Sequence, residues 1–179
     1  MSNKVDLNKL RDMIEDNRQQ GQLTPVKPSQ QVVVHEGRIK TADQLAPGQE
    51  RQAAVIHQAT FAALSSRHLQ DQQTVGQKLP RSTQFYEVGG VGGWAYNIVN
   101  EFGEPFELFT FFDGSLYQTK VVSPEVEGKY SPTNGHLFSD GTICLNNAHG
   151  YPTLEQAYSK SVLWATGFSV FEKTGHFPY

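Results

Sequence analysis

Between residues 81 and 122 the chain alternates short runs of aromatic and β-branched residues with polar breaks, and no other stretch constrains the fold as strongly. The runs are Phe85-Tyr86-Glu87-Val88, Trp94 to Val99, Phe106 to Phe112 and Ser115 to Val122. Such side chains favour pleated backbone because they pack well on a half-buried surface. Phe102-Gly103-Glu104-Pro105 and Asp113-Gly114 separate the later runs, and Asp-Gly is a favoured two-residue hairpin turn. Breaks this short join antiparallel neighbours, so the stretch predicts three or four strands in an antiparallel meander. The glycine cluster Gly89 to Gly93 invites a phosphate-loop reading, but no Lys-Ser/Thr pair follows and no helix opens after it. A flexible strand connection is the better reading.

Helical patterns flank this stretch. Over residues 49–70, Val55, Ile56, Ala59, Ala62, Ala63 and Leu69 share a broad apolar face, with Gln49, Glu50, Arg51, Gln58 and Arg67 opposite. The spacing predicts a helix that fades before Gly76 and stops short of Pro80. A second helix starts after Pro152, with Thr153 as N-cap and Gln156 completing a capping box. Leu154, Ala157, Ser161, Trp164, Ala165, Phe168 and Phe171 repeat at three and four residues, and Gly175 and Pro178 end the pattern. The first 47 residues are polar. Leu7, Leu10, Met13 and Ile14 suggest a short amphipathic helix before Gly21, Pro25 and Pro28 interrupt regular structure, and Val32 to Val34 reads as a short strand or docking segment. Ala46-Pro47-Gly48 marks a break. The expected organisation is a loosely attached polar extension over 1–47 and one α+β domain over 48–179, with helices on one face of the meander.

Charge and composition exclude several classes. A formal net charge of −3 over 179 residues provides no basic footprint for nucleic acid. No apolar run approaches the roughly 20 residues that span a bilayer, and Met1-Ser-Asn-Lys-Val-Asp6 lacks the apolar core of a signal peptide. The single cysteine cannot pair within the chain, and a reducing compartment suits it. A cytoplasmic protein with no nucleic-acid or membrane partner and no cofactor is expected.

That cysteine, Cys144, lies in Ser131-Pro-Thr-Asn-Gly-His-Leu-Phe-Ser-Asp-Gly-Thr-Ile-Cys-Leu145, eight residues after His136 and three after the turn signal Asp140-Gly141. A lone cysteine between Ile143 and Leu145 is often a small buried hydrophobe. The surroundings, however, are polar and turn-rich: Asn134, His136, Ser139 and Asp140 precede it, and Asn146, Asn147 and His149 follow. Loops of this kind carry functional groups on rigid scaffolds. No Lys or Arg adjoins the thiol to acidify it, and Asp140 would raise its pKa if anything. A thiol of this kind suits an already activated acyl donor, since exchange between thioesters is close to isoenergetic and needs positioning and oxyanion stabilisation more than a base.

The stretch Asn134-Gly-His136-Leu-Phe-Ser-Asp-Gly-Thr-Ile-Cys144-Leu resembles the active-site segment of the ubiquitin-conjugating (E2, UBC-like) enzymes, in a divergent bacterial form. In that family a His-Pro-Asn precedes a turn and an Ile-Cys-Leu, with the asparagine eight residues before the cysteine. Here His136 occupies the asparagine position and Asn134 that of the family histidine. Tyr151-Pro152-Thr153-Leu154 is similar to the family's Trp-Ser-Pro-x-Leu-Thr run ahead of the next helix. The resemblance, over roughly 49–175, implies a UBC-like fold: an N-terminal helix, the meander, the cysteine segment and a following helix. It implies that Cys144 accepts a ubiquitin-like protein as a thioester from an E1-like adenylating enzyme and passes it to an amine on a protein target. His136 would stabilise the oxyanion or order the loop, with help from Asn147 and His149. Bacterial antiviral defence is the setting it suggests.

Other readings of the same residues differ in what they ask of Cys144. A non-catalytic E2-fold scaffold would not use it, and inactive relatives typically lack the cysteine. A cysteine hydrolase would pair it with His149 or His176, but no helix starts at Cys144 to depress its pKa. A zinc site would need more than one cysteine and scattered histidines, and His57 and His68 also lack ligand spacing.

Overall fold

The computed structural model describes residues 5–19, 32–35, 38–41, 54–56, 66–144 and 150–178, with backbone alone at 32–35, 38–41, 54–56 and 66. In chain order the elements are α1 (Leu7–Gln19), β1 (Val32–His35), β2 (Arg38–Thr41), β3 (Ala54–Ile56), α2 (Ser66–Lys78), β4 (Gln84–Val88), β5 (Val91–Val99), β6 (Pro105–Phe112), β7 (Tyr117–Ser123) and α3 (Leu154–Thr174). They divide into a unit of residues 1–22 with 73–179 and a unit of residues 23–72.

In the larger unit the expected meander forms, with four antiparallel strands in the order β4-β5-β6-β7. The architecture is α+β. The glycine cluster does two jobs in it. Gly89 and Gly90 form the β4–β5 turn with φ of 61° and 80°, a region where only glycine is unstrained. Gly92 and Gly93 instead belong to β5. A Cβ on Gly93 would lie 2.5 Å from Phe109 Cζ and 2.7 Å from the Thr110 carbonyl oxygen, so that position is bare because β6 passes against it.

Helices cover both faces of this sheet, not one. Leu7, Leu10 and Ile14 of α1 pack with Tyr86, Val88, Ala95, Phe109 and Phe111. Trp164, Ala165 and Phe168 of α3 pack with Tyr96, Ile98, Phe106, Leu108 and Val121. Alternate residues of β6 therefore face opposite helices, and its nearly unbroken apolar run follows from burial on both sides. The N-terminal helix forms where its periodicity predicts, yet it is not loosely attached. Arg11 fastens it by donating to the Val122 carbonyl at 2.8 Å and to Glu127 at 2.7 Å, and Arg18 meets Glu107 at 2.6 Å.

α3 begins and ends as its sequence signals. Thr153 Oγ1 accepts the Gln156 N–H at 3.2 Å, and Gly175 closes the helix in the left-handed region at φ 73°.

The smaller unit holds a three-stranded antiparallel sheet in the order β2-β1-β3. Val32 to Val34 is a strand, one of the two readings given for it. The helix expected over 49–70 is corrected here: Ala54–Ile56 pairs with β1, Val32 facing Ile56. Val55 and Ile56 are β-branched, and sheet pairing prevails over a helical pattern that such residues support only weakly. Residues 49–53 and 57–65, His57 among them, lie outside the described residues. The helix that does form, α2, starts at Ser66 and carries His68. It runs through Gly76, where the surroundings are open, at a cost of about 1 kcal/mol relative to alanine, and stops before Pro80.

Candidate active site

The segment that carries Cys144 is a small hairpin laid along the edge of β7. Before it, Ser131 and Asn134 exchange backbone hydrogen bonds, each 2.9 Å. Gly135 and His136 then both take positive φ, 85° and 52°. A left-handed histidine is uncommon, and two hydrogen bonds surround this one. The Gly135 carbonyl accepts from the Trp164 indole at 3.0 Å, and the His136 carbonyl accepts the Cys144 N–H at 2.8 Å. Leu137, fully buried, anchors the first limb in the core. Asp140-Gly141 makes the turn, with the Phe138 N–H donating to the Thr142 carbonyl at 2.8 Å. The second limb continues the sheet, for Val121 N–H reaches the Gly141 carbonyl at 3.0 Å and Ile143 N–H the Thr119 carbonyl at 2.8 Å.

This geometry accounts for the spacing of eight. His136 and Cys144 are facing positions at the open end of the hairpin, and they are joined twice. Besides the backbone bond, His136 Nδ1 lies 3.0 Å from the Cys144 carbonyl oxygen. A carbonyl only accepts, so Nδ1 carries the proton there. The imidazole therefore orders the cysteine main chain, and its donor is already committed. Phe177 covers the ring, centroid to centroid 4.4 Å, with its plane tilted by 60°.

Cys144 is partly exposed. Burial pushes its thiol pKa up, the direction expected from sequence but from a different cause. Asp140 is engaged elsewhere: its carboxylate lies 2.6 Å from Lys120 Nζ. Burial opposes the charge of Asp140, but its hydrogen bonds and charge pairing with Lys120, and its bonds from Thr142, hold it below the usual carboxylate range. Lys120, its side chain only 4% exposed, also donates to the Asp140 carbonyl at 2.8 Å and to Thr142 Oγ1 at 3.0 Å. The sequence reading missed this latch. Its signal was present: a lysine between Thr119 and Val121-Val122 in a strand needs a buried partner.

Tyr151 stands at the same edge. Its backbone exchanges hydrogen bonds of 2.7 and 2.9 Å with Tyr117, two residues along β7 from Thr119. Its hydroxyl is buried and has no hydrogen-bond partner among the described residues. Burial, then the charge of Cys144, raises its pKa.

Asn146, Asn147 and His149, named from sequence as possible assistants, lie outside the described residues. His176 is exposed just beyond α3, its backbone N–H bonded to Thr174 Oγ1 at 3.2 Å. Among the described residues no three His, Cys, Asp or Glu side chains gather as a metal site, and no helix is long and apolar enough to cross a membrane. No family model, curated protein or solved structure matches this chain.

Proposed function

We propose that the chain is an E2-like conjugating enzyme that carries a ubiquitin-like protein as a thioester on Cys144. The observation that carries this reading is the double clasp between His136 and Cys144, at 2.8 and 3.0 Å. It fixes the main chain of a partly exposed thiol without ionising it. A thiol with a raised pKa is a poor nucleophile toward an amide, but positioning is most of what thioester exchange requires. In the first step Cys144 sulfur attacks the thioester carbonyl presented by an E1-like adenylating enzyme, and the E1 thiolate leaves. In the second, an amine on a protein target attacks the new thioester, and Cys144 leaves as the thiolate. His136 acts by holding the loop through both steps. A reducing, cytoplasmic compartment suits a nucleophile of this kind, and bacterial antiviral defence is the setting proposed for it.

The test is charging. The protein, its E1-like enzyme, the ubiquitin-like protein and ATP should yield a larger species on a non-reducing gel, lost on adding thiol and absent from Cys144→Ala. No adduct with a pair verified active on another acceptor would sink the reading. If Cys144→Ala still bound the charged partner and wild type formed no adduct, the protein would be a scaffold of the same fold. His136→Ala, which frees the loop in both steps, should slow charging and discharge alike, and unchanged rates in both would remove His136 from the mechanism.

A further inference from the structure

We infer that Trp164 is a positioning residue for Cys144: its indole N–H holds the Gly135–His136 peptide in a left-handed turn, and that turn sets the clasp on the cysteine. What the positioning serves rests on the thioester reading of Cys144, to which the inference adds a residue of the helix core that governs the site.

Trp164 is fully buried on α3. Its ring stacks on Phe168, centroids 4.7 Å apart, and stands edge-on to Phe106 at 5.8 Å. Those neighbours fix the indole but are apolar, and a buried indole N–H needs a polar partner. The partner lies 29 residues back in the chain, the Gly135 carbonyl oxygen at 3.0 Å. The bond therefore runs from the core into the turn where Gly135 and His136 both take positive φ.

The carbonyl it holds belongs to the peptide that enters His136. A peptide is planar and turns as one unit, so the direction of the Gly135 carbonyl is coupled to the φ of His136. Turned over, this peptide would carry His136 from φ 52° back to negative φ and relieve the cost of a left-handed side chain. The Trp164 bond opposes that turning directly, while Leu137, fully buried, holds the other side of His136.

His136 in turn acts twice on Cys144. Its carbonyl accepts the Cys144 N–H at 2.8 Å, and its Nδ1–H donates to the Cys144 carbonyl at 3.0 Å. Carbonyl and ring leave one Cα, so they face Cys144 together only while the turn keeps its shape. One hydrogen bond in the core thus governs two at the nucleophile, and Trp164 acts through His136 rather than on the thiol.

The experiment removes the indole N–H from the full chain. Trp164→Phe keeps an aromatic ring, and Trp164→benzothienylalanine keeps the whole shape, with sulfur where the N–H stood. Amide exchange is read by NMR at two successive residues of one hairpin limb. The Cys144 N–H is bonded to His136, and the Ile143 N–H, bonded to the Thr119 carbonyl at 2.8 Å, is the control. Leaving a buried carbonyl without its donor shifts a local equilibrium about tenfold or more, so exchange at Cys144 should accelerate at least about tenfold more than at Ile143. Equal acceleration at the two amides would assign Trp164 to general stability and overturn the proposal, as would no change at Cys144. If Trp164→Phe does not fold, the isostere alone decides.

The charging assay supplies the link to the reaction. The isostere should slow charging by roughly the factor that His136→Ala does, and in a His136→Ala background it should slow charging no further. Additive losses would overturn the route through His136. Amide exchange needs no E1-like enzyme, so the two readings fail separately: a wild type that never charges refutes conjugation, and the exchange result still decides the role of Trp164.

Discussion

The thiol of Cys144 is raised by burial, which has a direct kinetic consequence. Only the thiolate reacts, so a raised folded pKa lowers the reactive fraction at neutral pH. Measured against pH, iodoacetamide alkylation of the native chain should rise with a midpoint above that of the same chain in urea. A native midpoint at or below the unfolded one would contradict burial as the controlling effect. The Lys120–Asp140 pair makes a second prediction at this scale. Lys120 is 4% exposed and Asp140 38% in their side chains, so the two partners are not equivalent. Asp140→Ala leaves a buried ammonium short of its counter-charge and should cost about 3 kcal/mol. Lys120→Met leaves a carboxylate that water can reach and should cost less, by urea denaturation. Equal losses would show that the pair is energetically symmetric. The pH dependence has a definite sign. The Asp140 carboxyl is depressed on folding, so its contribution is present above the unfolded carboxylate pKa and disappears as pH falls through the folded value. At this scale the cysteine and its histidine were legible, because a spacing of eight is visible in a string of letters. The hold of Trp164 on Gly135 was not, since a bond between residues 29 apart is a property of the fold.

Elements were most legible where their signals are local. The capping box at Thr153 and the glycine at 175 are short patterns with one physical meaning each, and α3 begins and ends at them. Thr153→Ala should cost about 1 kcal/mol, read from a thermal or urea midpoint, and no change would mean that the cap bond is dispensable. The β-meander was equally plain. The 49–70 helix failed because Val55 and Ile56 satisfy helical and strand periodicities alike over so short a span, and only pairing with β1 decides between them. The glycine cluster was misread in part for a related reason. Gly93 is needed by β6, which is distant in the chain, and nothing local announces that. Gly92 and Gly93 provide a test of the distinction. A Cβ at 92 meets the end of the Phe85 ring at 2.6 Å, whereas at 93 it meets the Thr110 carbonyl oxygen at 2.7 Å as well as the Phe109 ring. A ring can swing aside more cheaply than a paired backbone can move. Gly93→Ala should therefore destabilise by more than the roughly 1–3 kcal/mol of ordinary overpacking, and Gly92→Ala by less. The reverse order would mean that β6 yields more easily than Phe85.

At the scale of the molecule the controlling fact is that the sheet is covered twice. α3 and the hairpin of Cys144 belong to one face, where Leu137 and Ile143 enter the same cluster as Trp164. α1 seals the other, so the helix farthest from the cysteine in sequence completes the sheet on which the cysteine limb pairs. The clue was in β6, where Phe106 to Phe111 leaves no polar face for water, although composition could not say which helix would supply the second cover. Leu10 tests the point, being fully buried in that second cluster. Leu10→Ala should cost about 2–5 kcal/mol as a core truncation, whereas Leu163→Ala, at a position 40% exposed on α3, should cost under about 1 kcal/mol. Both are read as shifts in urea midpoint at constant slope. If α1 were a detachable extension, Leu10→Ala would behave like Leu163→Ala, and the thiol would keep its reactivity. If α1 is part of the core, the Leu10 variant should lose stability and, near its unfolding midpoint, expose Cys144 to iodoacetamide in step with the loss of sheet signal, because the hairpin limb is paired to β7 of that sheet.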